Sequence, residues 1–516
     1  MDSRRAWRKV VRSLAAVLLA WAAGPVRADD AAAWFDAGRP RAVAQEAAAL
    51  LADAASHGLD PRDYEADALQ AAVVRGDGDA ARVAVVAEAL SQAMRRYLAD
   101  LHDGRIDPRR IHHDFAVSRA PGFDPAALLR GTLQAGRLAD AVRAAAPSLP
   151  LYGQLREALA RYRGWVDHPA WAEALPRPPG GRLDPGQAYA GLGRLAQRLA
   201  VLGDLAADAP PPSHYEGALV DALRGFQRRH GLADDGVLGR ATRAQLDVTP
   251  AARVRQIELT LERLRWTPLM QAPRMVVINI PEFVLRAYEV RDGRIVVQEE
   301  MRVIVGKALD TRTPLFDEQM RAIEFSPHWN VPASIARQEL LPRLRRDPGY
   351  FDRQGFEFVA PGGRVETALS DERLDALDAG ALRLRQRPGA ANALGDIKFV
   401  FPNREAIYLH HTPSTGLFAR DRRDFSHGCI RVERPVALAQ FVLRGQPEWT
   451  EERIRAAMAA RASSTLRLAE PLPVLIAYGT TLVRDGRIHF FDDLYGHDRA
   501  LAAALRRRPA LATLLR

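Results

Sequence analysis

Ile407–Pro435, IYLHHTPSTGLFARDRRDFSHGCIRVERP, decides how the C-terminal half of this 516-residue chain is read. It holds the single cysteine of the sequence, Cys429, directly after His427 and Gly428. Ile407 to His410 and Cys429 to Val432 are short apolar runs that read as β-strands. Alternate side chains of a strand share a face, so an extended 427–429 segment would point His427 and Cys429 the same way. A neighbouring strand could set His410 beside the thiol. An imidazole that removes or stabilises a thiol proton produces a thiolate able to attack an acyl carbon. The backbone N–H groups around His427, Gly428 and Cys429 would then serve a developing oxyanion, glycine allowing the close approach.

Two other readings of the same residues stand beside this one. His410, His411, His427 and Cys429 are all possible zinc ligands, but their spacing matches no common ligand pattern and there is no second cysteine. A lone cysteine can also be a small buried hydrophobe with no chemistry.

Outward from this stretch, Met275 to Gly306 carries MVVINI, FVLRAYEV and IVVQEEMRVIVG, with Arg291-Asp292-Gly293-Arg294 as a hairpin turn. Ile397 to Phe401 is a further strand. Residues 337–384 are charged and proline-broken, and read as a helical insertion into this β-rich region. Upstream, Leu219 to Leu246 reads LVDALRGFQRRHGLADDGVLGRATRAQL. A helix ends there at Gly231, an Asp-Asp-Gly turn follows, and a second helix starts near Thr242. Pro176 to Gly181, PRPPGG, has linker composition. Residues 31–175 are rich in Ala, Leu and Arg, with helical spacing of apolar residues in Val83 to Leu101 and Asp-Pro helix starts at HGLDPRDY and GRIDPRRI.

The net charge of +10 raises the question of nucleic acid. Six basic residues against Asp2 in the first 28 account for half of that excess. Lysine occurs only at Lys9, Lys307 and Lys398, and the arginines are dispersed with no interleaved aromatic platform, which argues against nucleic-acid binding. Residues 1–28 have a basic start, an apolar run from Leu14 to Ala23, and Val26-Arg27-Ala28 before Asp29. This is the pattern of a signal peptide cleaved after Ala28, and it implies export. In an oxidising compartment one cysteine can form no internal bridge, so its reactivity is either hidden or used.

His410, fifteen intervening residues, and Ser426-His427-Gly428-Cys429-Ile430-Arg431 resemble the L,D-transpeptidase signature, a histidine followed by [ST]-H-G-C-x-[RN]. PHWNVPASIA from Pro327, RQRPGAANALGDIKFVFPN from Arg385 and LHHTPSTGLF from Leu409 add to the likeness. Phe226, Gln227, Gly231, Leu232, Asp235, Gly236, Gly239 and Thr242 match the pattern of the three-helix peptidoglycan-binding domain. The chain as a whole resembles the large Gram-negative form of the family.

The resemblance implies a multidomain α+β protein. Its parts would be a signal peptide (1–28), a helical scaffold domain (31–175), a peptidoglycan-binding-like domain (183–250), a β-rich catalytic domain (253–500) with a helical capping insertion (337–384), and a helical tail (501–516). It implies Cys429 as nucleophile and His410 as base and later acid, with His427, Gly428 and Ser426 supporting the site. Arg431 would orient substrate, Tyr408 and Trp329 would wall the pocket, and His411 would be a bystander facing away. Phe226, Gln227, Gly231, Asp235, Gly236 and Gly239 would form the peptidoglycan-binding module.

The implied reaction joins peptidoglycan stem peptides by 3→3 cross-links, between a donor tetrapeptide and a diamino-acid acceptor. It uses no metal or other cofactor and is open to acylation by carbapenems. An L,D-carboxypeptidase or D-amino-acid exchange enzyme on the same peptides is the alternative within enzymes, and a non-catalytic wall-binding protein is the alternative outside them. A generic cysteine peptidase is disfavoured by the β-rich context.

Overall fold

The computed structural model describes residues 28–507 except 77–78, 113–114, 116–121, 209–212, 268, 270 and 310. The expected signal peptide falls almost wholly outside these residues, as does the end of the expected tail. Two compact units emerge.

The first unit comprises residues up to 105 together with 120–148 and the C-terminal residues from 505. It is helical, as its composition indicates: α1 Ala28–Trp34, α2 Ala42–Ala52, α3 Ala66–Arg75, α4 Ala80–Asp103, α5 Pro125–Gln134 and α6 Leu138–Ala145. Asp79 starts α4 by accepting the Ala81 N–H, and Leu90, Met94, Leu98 and Leu101 form its buried stripe. The Asp-Pro pairs act as starts, but of short 3₁₀ turns (Pro61–Tyr64 here and Pro108–Arg110 in the second unit) rather than long helices. Trp34 anchors the core and donates its indole N–H to Ser91 Oγ at 2.8 Å.

The second unit spans residues 106–119 and 149–504. Its first helix, α7 (Pro150–Gly164), lies inside the expected scaffold span, yet it packs on α11 (Pro250–Leu264). Between them come α8 (Leu192–Val201), α9 (Ala218–Arg229) and α10 (Arg240–Leu246), which enclose a small core with Tyr215, Leu223 and Phe226. Leu175 and Leu183, on either side of PRPPGG, both belong to that core, so this proline-rich stretch is an anchored loop. Tyr189 also donates to the Pro176 carbonyl at 2.5 Å.

The β-rich region follows: β1 Arg274–Asn279, β2 Val284–Arg291, β3 Arg294–Gly306, β4 Phe316–Phe325, then β9 Ile397–Val400, β10 Leu409–His410, β11 Asp424–Ser426, β12 Ile430–Val432 and β13 Ser464–Ala477. They form a nine-stranded sheet in the order β11-β3-β12-β10-β9-β4-β13-β1-β2, and β2 also pairs with β3, so the sheet closes on itself. The predicted hairpin is a two-residue turn, with Asp292 and Gly293 both at positive φ (50° and 69°).

The expected helical insertion is only partly helical. Helices at Leu341–Arg346, Gly349–Arg353 and Asp371–Asp378 pack on a four-stranded antiparallel sheet of β5 Trp329–Asn330, β6 Phe356–Val359, β7 Val365–Glu366 and β8 Arg383–Gln386. Its sequence hides this because its central strand, FEFV, is only four residues long, and the structure buries every one of them, Glu357 included. The insertion has its own core, from Leu344 through Phe351, Phe356 and Phe358 to Leu377, and Trp329 packs against it.

Candidate active site

The site sits on two short parallel strands. β10 and β12 pair with Leu409 opposite Ile430 and His410 opposite Arg431, and the Ile430 N–H donates to the Tyr408 carbonyl at 2.9 Å. Residues directly opposite on paired strands share a face, as do residues two apart on one strand. Tyr408, His410 and Arg431 therefore lie on one side. The row extends across the sheet, since Lys398 of β9 is opposite His410 and Glu324 of β4 is opposite Lys398. Lys398 Nζ sits 3.8 Å from the Tyr408 ring centroid and 3.1 Å from Glu324 Oε2.

Cys429 precedes β12 and is partly exposed. The segment 427–429 is a bend, because Gly428 has φ 113°. The strand argument that aligned His427 with Cys429 therefore fails at Gly428. The His427 imidazole instead meets the insertion, with Nε2 2.6 Å from Glu339 Oε1. A Cβ on Gly428 would stand 2.9 Å from Ile407 Cδ1, so glycine is required for both backbone shape and space.

Carbonyls on this bend are held from below. Thr313 Oγ donates to the Gly428 carbonyl at 2.7 Å and accepts from the Gly306 N–H at 2.9 Å. The Lys307 N–H and Thr311 Oγ both donate to the Ser426 carbonyl, at 3.0 and 3.1 Å. Tyr495 OH donates to the Gly306 carbonyl at 2.6 Å and accepts from the Thr313 N–H. Ser426 Oγ in turn donates to the Cys429 carbonyl and accepts the Gly428 N–H at 3.2 Å. Of the three amides expected to serve an oxyanion, that of Gly428 is thus engaged. Those of His427 and Cys429 donate to no partner among the described residues.

The electrostatics favour a neutral resting pair. Burial pushes the Cys429 thiol up, opposed by the Tyr408 N–H and by the nearby Lys398 and Arg431 charges. Its Sγ faces the Ala406 carbonyl at 3.7 Å. His410 is nearly fully buried, and burial, followed by the Arg431 charge, lowers it to about 3 despite the His411 and Leu394 carbonyls that favour its protonated form. His410 Nδ1 lies 2.5 Å from the His411 carbonyl oxygen. A carbonyl only accepts, so Nδ1 carries the proton and Nε2 is the basic nitrogen. Arg431 has no hydrogen-bond partner for its buried Nε among the described residues, and burial lowers its pKa while Cys429 opposes that shift.

His411 pairs its Nδ1 with Asp396 Oδ1 at 2.7 Å, so its backbone rather than its ring serves His410. Gly395 lets it approach, since a Cβ there would be 2.8 Å from His411 Cβ. Lys398, Thr313 and Glu339 were not expected as site residues. Lysine is so scarce in this chain that Lys398 was marked by its rarity. Thr313 and Glu339 carry no comparable signal. Among the described residues no cluster of three or more His, Cys, Asp or Glu side chains could hold a metal ion.

In the smaller module Phe226 and Gln227 are each 1 % exposed. Gln227 Nε2 donates to Asp235 Oδ1, the Val237 carbonyl and Thr242 Oγ, while its Oε1 accepts the Gly236 N–H. These motif residues hold the Asp-Asp-Gly loop in shape and are not free to bind. Gly231, Asp235 and Gly239 line a cleft.

Residues 273–449 match the family model of the L,D-transpeptidase catalytic domain (YkuD), 190–246 that of the "Putative peptidoglycan binding domain", and 27–159 that of the scaffold domain. A "Putative L,D-transpeptidase" of Haemophilus influenzae is 33% identical over 249 residues, covering 48% of this chain and 49% of that protein. The chain thus spans about half the length of that relative. Two solved L,D-transpeptidases, from Stackebrandtia nassauensis and Xylanimonas cellulosilytica, are 14% and 18% identical. Each aligns with 59% of this chain, covering 96% and 98% of the respective solved chain, with TM-scores of 0.22 and 0.19. Residues 273–449 thus match a YkuD-type L,D-transpeptidase catalytic domain, preceded by regions that match a scaffold domain and a peptidoglycan-binding domain.

Proposed function

We propose that this protein is a periplasmic cysteine acyltransferase that forms 3→3 cross-links between peptidoglycan stem peptides. The observation that carries the reading is the register of β10 on β12, which brings the His410 imidazole to the side of the sheet where the Cys429 thiol meets Lys398 and Arg431. The Cys429 proton passes to His410 Nε2 as sulfur attacks the carbonyl of the third residue of a donor tetrapeptide. The Cys429 N–H, which has no partner among the described residues, is available to the oxyanion. Collapse breaks the peptide bond, and the D-alanine amine leaves with the proton from His410. The side-chain amine of a diamino acid on a second stem then attacks the thioester, gives its proton to His410, and expels the thiolate, which takes that proton back. The Arg431 guanidinium, whose buried Nε has no partner among the described residues, suits a substrate carboxylate. No metal or other cofactor enters these steps.

The test is mass spectrometry of purified tetrapeptide muropeptides incubated with the protein and with Cys429→Ser. Cross-linked dimers should form only with the native thiol; cross-linking by the serine variant would sink the assignment. Release of D-alanine without dimers would instead identify water as acceptor and an L,D-carboxypeptidase. A carbapenem should add covalently to Cys429, and His410→Ala should slow that acylation strongly.

A further inference from the structure

Of the three lysines in the chain, Lys398 is the one set in an ion pair among the described residues, and its charge is felt at the thiol. We propose that Lys398 is a positioning residue for Cys429, its ammonium stationed to stabilise negative charge on the sulfur while Glu324 tethers that ammonium and moderates its field. The proposal rests on the reading of Cys429 as a nucleophile.

A cross-strand lysine–glutamate pair often does no more than stabilise a sheet, and Lys398 of β9 does stand directly opposite Glu324 of β4. Three observations set this pair apart. Lys398 is also opposite His410, yet its side chain reaches over the Tyr408 ring, with Nζ 3.8 Å from the ring centroid, while Glu324 Oε2 holds it at 3.1 Å. Tyr408 is the residue whose N–H meets the sulfur, so this reach carries the ammonium toward the thiol. The Lys398 side chain is 12% exposed and that of Glu324 27%, so water and salt screen both charges weakly. The ring face seats the ammonium without neutralising it, whereas the carboxylate neutralises it in part.

The chemistry calls for such a charge. Proton transfer from Cys429 to His410 creates a negative sulfur and a positive imidazole at once. Arg431 serves only half of this, since its charge favours the thiolate but opposes the imidazolium. Lys398 favours the thiolate as well, while the charges that bear most on His410 are those of Arg431 and His411. A substrate carboxylate seated on Arg431 would spend that guanidinium's charge, leaving Lys398 as the standing support of the sulfur. The remaining ionisable groups at the bend, His427 and Glu339, pair with each other.

The test is alkylation of Cys429 by iodoacetamide, a neutral probe, followed on the full chain by intact-mass spectrometry across the alkaline limb of its pH profile. The single cysteine makes the readout unambiguous. Lys398→Met keeps an unbranched side chain and removes the charge, a change worth about tenfold in thiolate population. The more basic sulfur regains about threefold in nucleophilicity, so the rate below the midpoint should fall about threefold and the midpoint should rise by about one pH unit. Glu324→Gln removes the moderating charge and should move both readouts the other way. With both charges gone, the double variant should fall between the native protein and Lys398→Met, whereas a merely structural role would make it the slowest.

An unchanged rate in Lys398→Met, the same direction of change in both single variants, or a double variant slower than Lys398→Met overturns the proposal. Should Lys398→Met not fold, the sign of the Glu324→Gln change decides, and a slower or unchanged rate there overturns it. Cross-linking of muropeptides is scored separately. The expected order of rates without any cross-linking would refute the transpeptidase reading alone, and cross-linking without that order would refute the role of Lys398 alone.

Discussion

Thr313→Val isolates what holds the catalytic bend. Thr313 is fully buried, and its hydroxyl serves two backbone groups, donating to the Gly428 carbonyl and accepting from the Gly306 N–H. Valine has the same shape, so no cavity opens, but both backbone groups lose their partner. Leaving one buried polar group unpaired costs about 1–3 kcal/mol, so the pair should cost roughly 3 kcal/mol. The penalty falls on the bend, where it should appear as local opening. At 1.4 kcal/mol per tenfold, 3 kcal/mol is about a hundredfold in the opening equilibrium. Hydrogen exchange read by mass spectrometry on peptides spanning 424–433 should accelerate by about that factor, while peptides of α2 and α4 keep their native rates. Carbapenem acylation of Cys429 should slow in parallel, because the bend presents both the thiol and its N–H. Thr313→Ser keeps the hydroxyl and should restore both readouts. Native exchange rates in Thr313→Val, within about threefold, would refute the assignment of the bend's rigidity to this hydroxyl.

Three further expectations follow from the same geometry. Gly428→Ala must place a Cβ 2.9 Å from Ile407 Cδ1 at φ 113°, so acylation of Cys429 should fall at least about tenfold with circular dichroism unchanged; native acylation would contradict the close approach. Buried neutral histidines should make the second unit acid-labile. His410, His112 and His497 are lowered to about 3 and His489 to about 4 from 6.5, in each case chiefly by burial. The unfolded chain takes up protons at these sites that the folded chain refuses, so their contribution is complete above about 6.5 and is lost as pH falls toward 3–4. The midpoint of thermal unfolding should drop from pH 7.5 to 5, less steeply in His497→Phe; parallel curves would remove His497 from this account. Gln227→Ala removes all four hydrogen bonds of that side chain, so exchange should accelerate across 234–239, and native protection there would show that the motif glutamine is dispensable to the loop.

Much of this protein is legible in its sequence because local rules suffice for it. Helical periodicity marks α4, Asp-Gly marks the β2–β3 turn, and the scarcity of cysteine singles out Cys429. The alternation argument at 427–429 fails because one glycine at positive φ ends the strand, and the insertion's sheet is hidden because FEFV is only four residues long.

Tertiary structure alone decides the pairing of β10 with β12, whose paired residues are 21 apart in the chain, and so the company the thiol keeps. It alone turns His427 toward Glu339, hangs the Gly428 carbonyl on Thr313, and buries Gln227 while opening a cleft beside it. Residue types determine which chemistry is available. Register, burial and long-range hydrogen bonds, which depend on segments remote in sequence, determine which of those residues meet and in what charge state.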